Sequence, residues 1–505
     1  MSYVFRYLEL ERKIHIRYAS AHRRGEREPA CRRQVQISSR KPSGLQRLSE
    51  TEAFFFFWLY SSRMSPKSIQ NPPDLFFQKL RFLGPGFILS ASIVGSGELI
   101  ATTVLGAKAG FITFWVILAS CLIKVAVQLE FGKNAILSGK PLMQEFNQLA
   151  GPVFGKVNWA VWSTFLLSLF KILQLGGMLG SSAIVMNLIF PKIPISLWLI
   201  LLGISLGLLI FKNYYRLIEK ASALMVFGFT LFTLASLIGL FYTPFGFSWE
   251  DVKSGLTFEL PQKVLFVAIG AFGITGVASD EIIAYTYWCQ EKGYAAYTGP
   301  NDGSESWKKR AKGWIKIMYL DAFLAMIIYT LVTAAFYLLG AAVLYGQKEI
   351  PDGNDLINFL ATIYTQSLGP GARFGYLAGA FFALYSSVFA TLAFWSRLFP
   401  DIFSQFGWIG NRDQEERKKW VKILAWVFPA IWVITFLFVN LPGFMVLSGG
   451  VVGSVLLLVV VVAAIKFRSK NRELRLISGP WSELMFWLSV ISILAVSAYG
   501  LFKLF

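Results

Sequence analysis

The sequence predicts an all-α membrane protein assembled from two halves of opposite insertion, and three observations carry that prediction. Its 505 residues are 55% apolar and only 15% charged, whereas soluble domains run near a quarter charged. Stretches such as 157–190, 193–211 and 421–467 are almost free of charge, and about 20 apolar residues suffice to cross a bilayer as a helix. A ten-residue pattern also recurs. Val94–Thr103 reads VGSGELIATT and Val277–Thr286 reads VASDEIIAYT, identical at six positions without a gap.

Composition narrows the function classes. A net charge of +19 would suggest a nucleic-acid partner in a soluble chain, but here the basic residues sit in loops between apolar segments. That is the pattern of a cytoplasmic membrane face, so the bilayer and not nucleic acid is the expected partner. Cys31, Cys121 and Cys289 form no CxxC pair, which leaves neither a disulfide framework nor a zinc site. Both histidines, His15 and His22, fall in the first 63 residues. The remainder therefore has no imidazole for metal ligation, proton relay or a nucleophilic triad, and an enzyme is not expected.

Residues 1–63 differ from the rest. They hold 11 Arg against 2 Lys, whereas residues 64–505 hold 10 Arg against 25 Lys. Glu9, Glu11, Glu26, Glu28, Glu50 and Glu52 argue against a transit peptide, and no long apolar core marks a secretory signal. The expectation is a basic extension, disordered or untranslated, with translation starting at Met64. An intact-mass measurement near the full chain weight would sink it.

The single transmembrane domain expected over 64–505 reads as eleven spans: 83–108, 110–131, 157–188, 193–211, 215–242, 262–290, 314–345, 373–397, 420–440, 442–467 and 481–503. Stretches 142–150 and 350–370 read as short interfacial or loop elements. Lys and Arg set the orientation. Lys212, Arg216, Lys220, Lys308–Arg310, Lys312, Arg417–Lys419, Lys422, Lys466, Arg468, Lys470, Arg472 and Arg475 fall on one side. The other side has Lys108, Lys192, Lys253, Lys263, Lys348 and Arg373. The N-terminus is expected inside and the C-terminus outside, in a plasma or inner membrane.

The repeated pattern lies in spans one and six. Five spans is an odd offset, so the two halves, about 83–242 and 262–467, insert with opposite topology, as in secondary transporters. Gly95 and Gly97 interrupt the first copy; Gly270, Gly273 and Gly276 precede the second. Glycine costs a helix interior about 0.5–1 kcal/mol relative to alanine, so unwound segments are expected near Gly95–Gly97 and Thr275–Ser279. Glu98 and Glu281 would then start half-helices, whose N-termini favour negative charge. An ionised acid at mid-membrane costs about 2.5–3.5 kcal/mol, which makes cation or proton handling the favoured use of Glu98, Asp280 and Glu281. Lys124, Lys171, Gln174, Asp321 and Arg397 are further polar residues within spans, either a proton or gating network or structural pairs. Tyr385, Ser386 and Ser387 are candidate oxygen donors.

LGPGFILSASIVGSGELIATTVLGAKAGF (Leu83–Phe111) resembles the first span of the Nramp family of divalent-metal transporters. The likeness continues through Gln128 and Ser138–Leu142 and covers roughly residues 75–500. It implies a LeuT-type fold: five plus five inverted spans, with an eleventh appended. The signature motifs are altered. The family's Asp-Pro-Gly-Asn falls on Gly95-Ser96-Gly97-Glu98, so its metal-binding aspartate position is Gly95. Its Met-Pro-His falls on Ala278-Ser279-Asp280, which puts Ala278 at the sulfur position; Nramp-related magnesium transporters likewise lack that methionine. The resemblance also implies a main-chain carbonyl ligand near Thr275. The expected metal site is thus Glu98, Glu281, Asp280, Gly95, Thr275 and Ala278, with Glu98 the principal carboxylate. An oxygen-only set suits Mg²⁺, Ca²⁺ and Mn²⁺ better than Cd²⁺.

The resulting expectation is a proton-linked secondary transporter of divalent cations of the Mg or Mn class, working by alternating access as a monomer. The cation is substrate, and no cofactor is expected. The alternative is an organic-solute transporter on the same scaffold, for an amine or amino acid. A cation-responsive receptor or channel has no regulatory domain to support it.

Overall fold

The computed structural model describes residues 69–504 apart from 96, 212–214, 347–350, 352–354, 411–413 and 474–478. The basic extension 1–63, Ser96, Lys212, Lys348, Arg412 and Arg475 lie outside the described residues. What is described is almost wholly helical. The exception is a two-residue antiparallel ladder pairing Val153–Phe154 with Val157–Asn158. The third apolar span therefore opens on a strand residue, and its helix starts at Trp159, where the Asn158 side chain accepts from Ala160 N–H.

In chain order the principal helices are α1 (Pro85–Ile93), α2 (Thr103–Ala109), α3 (Phe114–Ile123), α4 (Val125–Ser138), α5 (Trp159–Phe170) and α6 (Ile172–Ile189). Next come α7 (Ile195–Phe211), α8 (Tyr215–Gly239), α9 (Leu265–Ile274), α10 (Ser279–Lys292) and α11 (Glu305–Leu344). Last are α12 (Asp355–Leu368), α13 (Ala372–Phe406), α14 (Gln414–Val439), α15 (Pro442–Glu473) and α16 (Pro480–Leu504). Pro85, Pro442 and Pro480 open their helices, where a missing N–H costs nothing. The Ser304 hydroxyl accepts from Trp307 N–H to start α11, nine residues earlier than the apolar run suggests. Polar residues extend a helix past the apolar stretch that signals it. α13 likewise continues through Pro400 to Gly407, whose left-handed φ of 79° ends it.

Among the described residues, 8 helices are long and apolar enough to cross a membrane by length and composition, and 195–211 and 227–242 are shorter apolar helices. Burial is inverted relative to a soluble protein. Glu98, Lys124, Glu130, Lys133, Lys171, Asp280 and Asp321 are buried, while Phe227, Leu231, Ile238, Phe438, Leu488 and Ile491 are exposed. Apolar side chains facing outward and charges facing inward match a hydrocarbon surround.

The two copies of the repeat form matching interruptions. After α1 the chain leaves α geometry at Val94 (φ −70°, ψ 67°) and resumes as a π-helical turn, Gly97–Thr102, before α2. After α9 it is extended at Thr275 (φ −80°, ψ 154°) and Ala278 (φ −79°, ψ 177°), then starts α10 at Ser279. The second break is thus 275–278, with Ser279 already helical. Gly276 between them has φ +58°, and a Cβ there would stand 2.9 Å from the Cys121 Cα. α9 runs against α15 closely enough that a Cβ at Gly270 would lie 2.8 Å from the Leu447 carbonyl.

Candidate functional site

The two breaks face each other across the interior. A cavity lies beside them, lined by Ser92, Ile93 and Gly97 from the first copy and by Ile274, Ala278, Asp280 and Glu281 from the second. α6 adds Leu175, Gln174 and Met178, with Lys171 at its N-cap, and α13 adds Ser387 and Thr391. Measured at the centres of water-sized spheres, the cavity holds about 20 Å³. A single water needs roughly 10–15 Å³ on that scale. There is room for one small ion or one or two waters.

Asp280 and Glu281 occupy the first turn of α10, where aligned peptide dipoles favour negative charge. Asp280 Oδ2 pairs with Lys171 Nζ at 2.6 Å. Asp280 Oδ1, Gln174 Oε1 and Ser279 Oγ are buried with no hydrogen-bond partner. Ser387 Oγ donates to the Ser92 carbonyl at 2.8 Å and the Ala383 carbonyl at 3.0 Å, tying α13 to α1. Buried oxygens without donors are costly in a dry interior, so a wall carrying several of them is chemically a place for a cation or an ordered water.

The remaining expected ligands are placed differently. Glu98 is fully buried as the second residue of the π-helical turn and is not among the described lining residues. Its Oε1 accepts from Gly276 N–H and Thr333 Oγ1, both at 3.2 Å, and its Oε2 has no partner. It bridges one break to the other. The Thr275 carbonyl accepts from Lys124 Nζ at 2.7 Å and Ser120 Oγ at 2.9 Å. The Phe272 carbonyl takes the same two donors at 2.8 and 3.0 Å. The end of α9 is therefore already capped by an ammonium, which also lies 5.1 Å from the Phe272 ring centroid. Gly95 is buried against Ser387, with no space for a side chain. Ala278, at the sulfur position, lines the cavity.

The other polar residues divide. Lys171 and Gln174 reach the cavity. Asp321 instead accepts from Gly84 N–H at 2.8 Å and Gly86 N–H at 2.5 Å, fastening the start of α1 to α11. Arg397 pairs with Glu291 at 2.5 Å. Of Tyr385, Ser386 and Ser387 only Ser387 lines the cavity; the Tyr385 hydroxyl bonds Ser205 at 2.6 Å. Sequence reasoning missed Ser92, Thr391 and Met178. The last matters most, because it puts a thioether on a wall expected to carry oxygen alone. Periodicity could have found it: Lys171, Gln174, Leu175 and Met178 stand at i, i+3, i+4 and i+7, one helix face. Among the described residues no three of Asp, Glu, His and Cys converge as a metal site, so a cation in the cavity would meet two carboxylates and neutral groups.

Two interrupted helices of opposite direction, meeting at a small polar cavity inside an apolar bundle, define a multi-pass membrane protein of the inverted-repeat transporter type. The family described as natural resistance-associated macrophage protein-like, Nramp, matches residues 86–503. The chain belongs to the Nramp family. It is 23% identical over 471 residues to the divalent metal cation transporter MntH of Listeria innocua, covering 87% of this chain and 97% of that one. The protein of the same name from Nostoc sp. is 22% identical over 449 residues, covering 86% and 93%. Among solved structures, an Eremococcus coleocola manganese transporter superposes with TM-score 0.61 at 16% identity, over 85% of this chain and 88% of that one. MhsT in complex with L-phenylalanine superposes with TM-score 0.53 at 16% identity, over 83% and 98%. The fold is LeuT-type.

Proposed function

We propose that this protein is a secondary transporter of divalent metal cations of the Mg or Mn class, linked to protons and working by alternating access. The observation that carries the reading is the cavity: about 20 Å³ between the two breaks, with Asp280 and Glu281 on its wall and Gln174 Oε1 unpartnered. Two carboxylates and neutral oxygens suit a hard dication. A site short of a full ligand cage also lets the ion leave, as transport requires. In this reading Asp280 and Glu281 touch the ion, while Glu98 supplies charge from behind through the contact it makes with Gly276. The chain crosses a plasma or inner membrane eleven times as a monomer, N-terminus cytoplasmic and C-terminus outside.

Flux into proteoliposomes tests this, with Mg²⁺, Mn²⁺, Ca²⁺ and Cd²⁺ offered beside a panel of amino acids and amines. The expected result is saturable Mg²⁺ or Mn²⁺ uptake with acidification of the lumen. Glu98→Gln keeps an acceptor for Gly276 and Thr333 but removes a charge, so flux falls at least about tenfold, some 1.4 kcal/mol, in a protein that still folds. Unchanged flux would refute the role of Glu98. A second reading, transport of an amino acid, draws on Lys171 together with the N-terminal end of α10, a pair of groups that could hold a carboxylate. The amino-acid arm of the same assay decides it.

A further inference from the structure

We infer that Lys171 is the resident cation of the substrate site, a tethered ammonium that a dication displaces from Asp280 and a monocation does not. The inference rests on the metal-transport reading and specifies how that site selects by charge.

Lys171 stands at the junction of α5 and α6, and its side chain is only 3% exposed. Its ammonium lies 2.6 Å from Asp280 Oδ2, and both residues line the cavity. Gly453 of α15 backs the pair, and a Cβ at that position would lie 3.5 Å from Lys171 Nζ and 3.6 Å from Ser279 Oγ. The pair leaves Asp280 Oδ1 and Gln174 Oε1 without donors. The ammonium thus neutralises one carboxylate and leaves two cavity oxygens without protein donors.

Charge decides what can replace it. At equal distance and dielectric, a monocation gains the Coulomb energy that Lys171 loses, and a dication gains twice as much. Either ion must give up hydration, the dication more than the monocation, and compete with a tethered group whose effective concentration is on the order of millimolar or higher; the monocation gains no surplus of attraction to offset this. A dication meets two carboxylates, Asp280 and Glu281, once the ammonium has moved aside. The lysine stem is long and flexible with a compact charged head, so it can release Asp280 and return when the ion departs. Return of the ammonium speeds ion release, as a built-in competitor should.

Cation-dependent thermal stabilisation and proteoliposome flux, measured on the wild type, Lys171→Met and Lys171→Arg, test this. Binding stabilises by mass action whether or not transport follows. Mn²⁺ or Mg²⁺ should stabilise the wild type while Na⁺, K⁺ and methylammonium do not. In Lys171→Met the divalent KM should fall at least about tenfold with a lower kcat. Na⁺ or methylammonium should now stabilise the variant and compete with the divalent ion. Lys171→Arg retains the ion pair and therefore the fold, and its forked grip on Asp280 should raise the divalent KM. A wild type that neither binds nor moves divalent ions overturns the metal-transport reading. A wild type that transports them, with Lys171→Met unchanged in KM and still indifferent to monovalent cations, overturns the role of Lys171 alone. If Lys171→Met does not fold, an unaltered divalent KM in Lys171→Arg does the same.

Discussion

Asp280 and Gly276 carry the sharpest residue-level consequences. Asp280→Asn preserves an oxygen for the Lys171 ammonium but removes the charge that would meet a dication, so the protein should fold while divalent flux falls at least about tenfold. Initial rates in proteoliposomes check this, and flux within twofold of wild type would exclude Asp280 as a contact. Gly276 is a backbone matter. Its φ of +58° and the nearby Cys121 Cα leave no place for a methyl group, and its N–H is the donor that Glu98 accepts. A non-glycine residue in that region costs about 1–3 kcal/mol before any clash. Gly276→Ala should lower the thermal midpoint in detergent and abolish transport together. Met178 decides a different question. If the oxygens set selectivity, Met178→Leu leaves the ratio of Cd²⁺ to Mn²⁺ inhibition unchanged, and competition flux reads that ratio.

Among the elements, α9 ends differently from an ordinary helix. Its last carbonyls receive Lys124 from the α3–α4 junction and Ser120 from α3. A cation at a helix C-terminus is favourable, and a buried one that also faces the Phe272 ring gains more. Lys124→Met keeps the length of the side chain and leaves the two carbonyls to share the single Ser120 O–H. The loss should be about 1–3 kcal/mol, the cost of leaving a buried carbonyl without its donor, seen as a lower unfolding midpoint. Lys124→Met with an unchanged midpoint would mean that Ser120 alone suffices. α1 is fastened at its opposite end, where Asp321 of α11 accepts from Gly84 and Gly86. The first broken helix is thus held from α11 at its start and from α13 beside its break.

On the scale of the whole molecule, the distribution of basic residues predicts sidedness. Single cysteines at 308–312, in the first turns of α11, and at 412–419, leading into α14, should label from the cytoplasm, and those at 250–260 from outside. Labelling of both sets from one side would refute the eleven-span arrangement. The helix ends that carry these basic residues also hold ion pairs with buried carboxylates. Glu130 pairs with Lys133 at 2.6 Å and with Arg468 of α15, and Lys470 pairs with Glu145 at 3.0 Å. These connect α4 and the short helix Leu142–Phe146 to α15.

The sequence by itself determined the bundle, the two breaks and the family, because each rests on local chemistry. Apolar runs must be helices in lipid, clustered glycines weaken a helix where they stand, and a repeated decapeptide whose copies are offset by an odd number of spans must insert in reverse. It also placed Asp280 and Glu281 on the first turn of a half-helix. Only the tertiary structure decided which polar groups meet. Glu98 and Glu281 occupy matching places in the two copies, yet one is bonded to Gly276 and Thr333 and the other lines the cavity. Lys124 and Lys171 read alike as lysines within apolar spans; one caps α9 and the other enters the site. Thr275, expected as a carbonyl ligand, is already engaged by Lys124, while Met178 arrives from a helix more than a hundred residues distant in sequence from α10. The direction of a side chain depends on helix rotation and on what packs against it. Those are set by contacts between segments far apart in the chain, which no local pattern records.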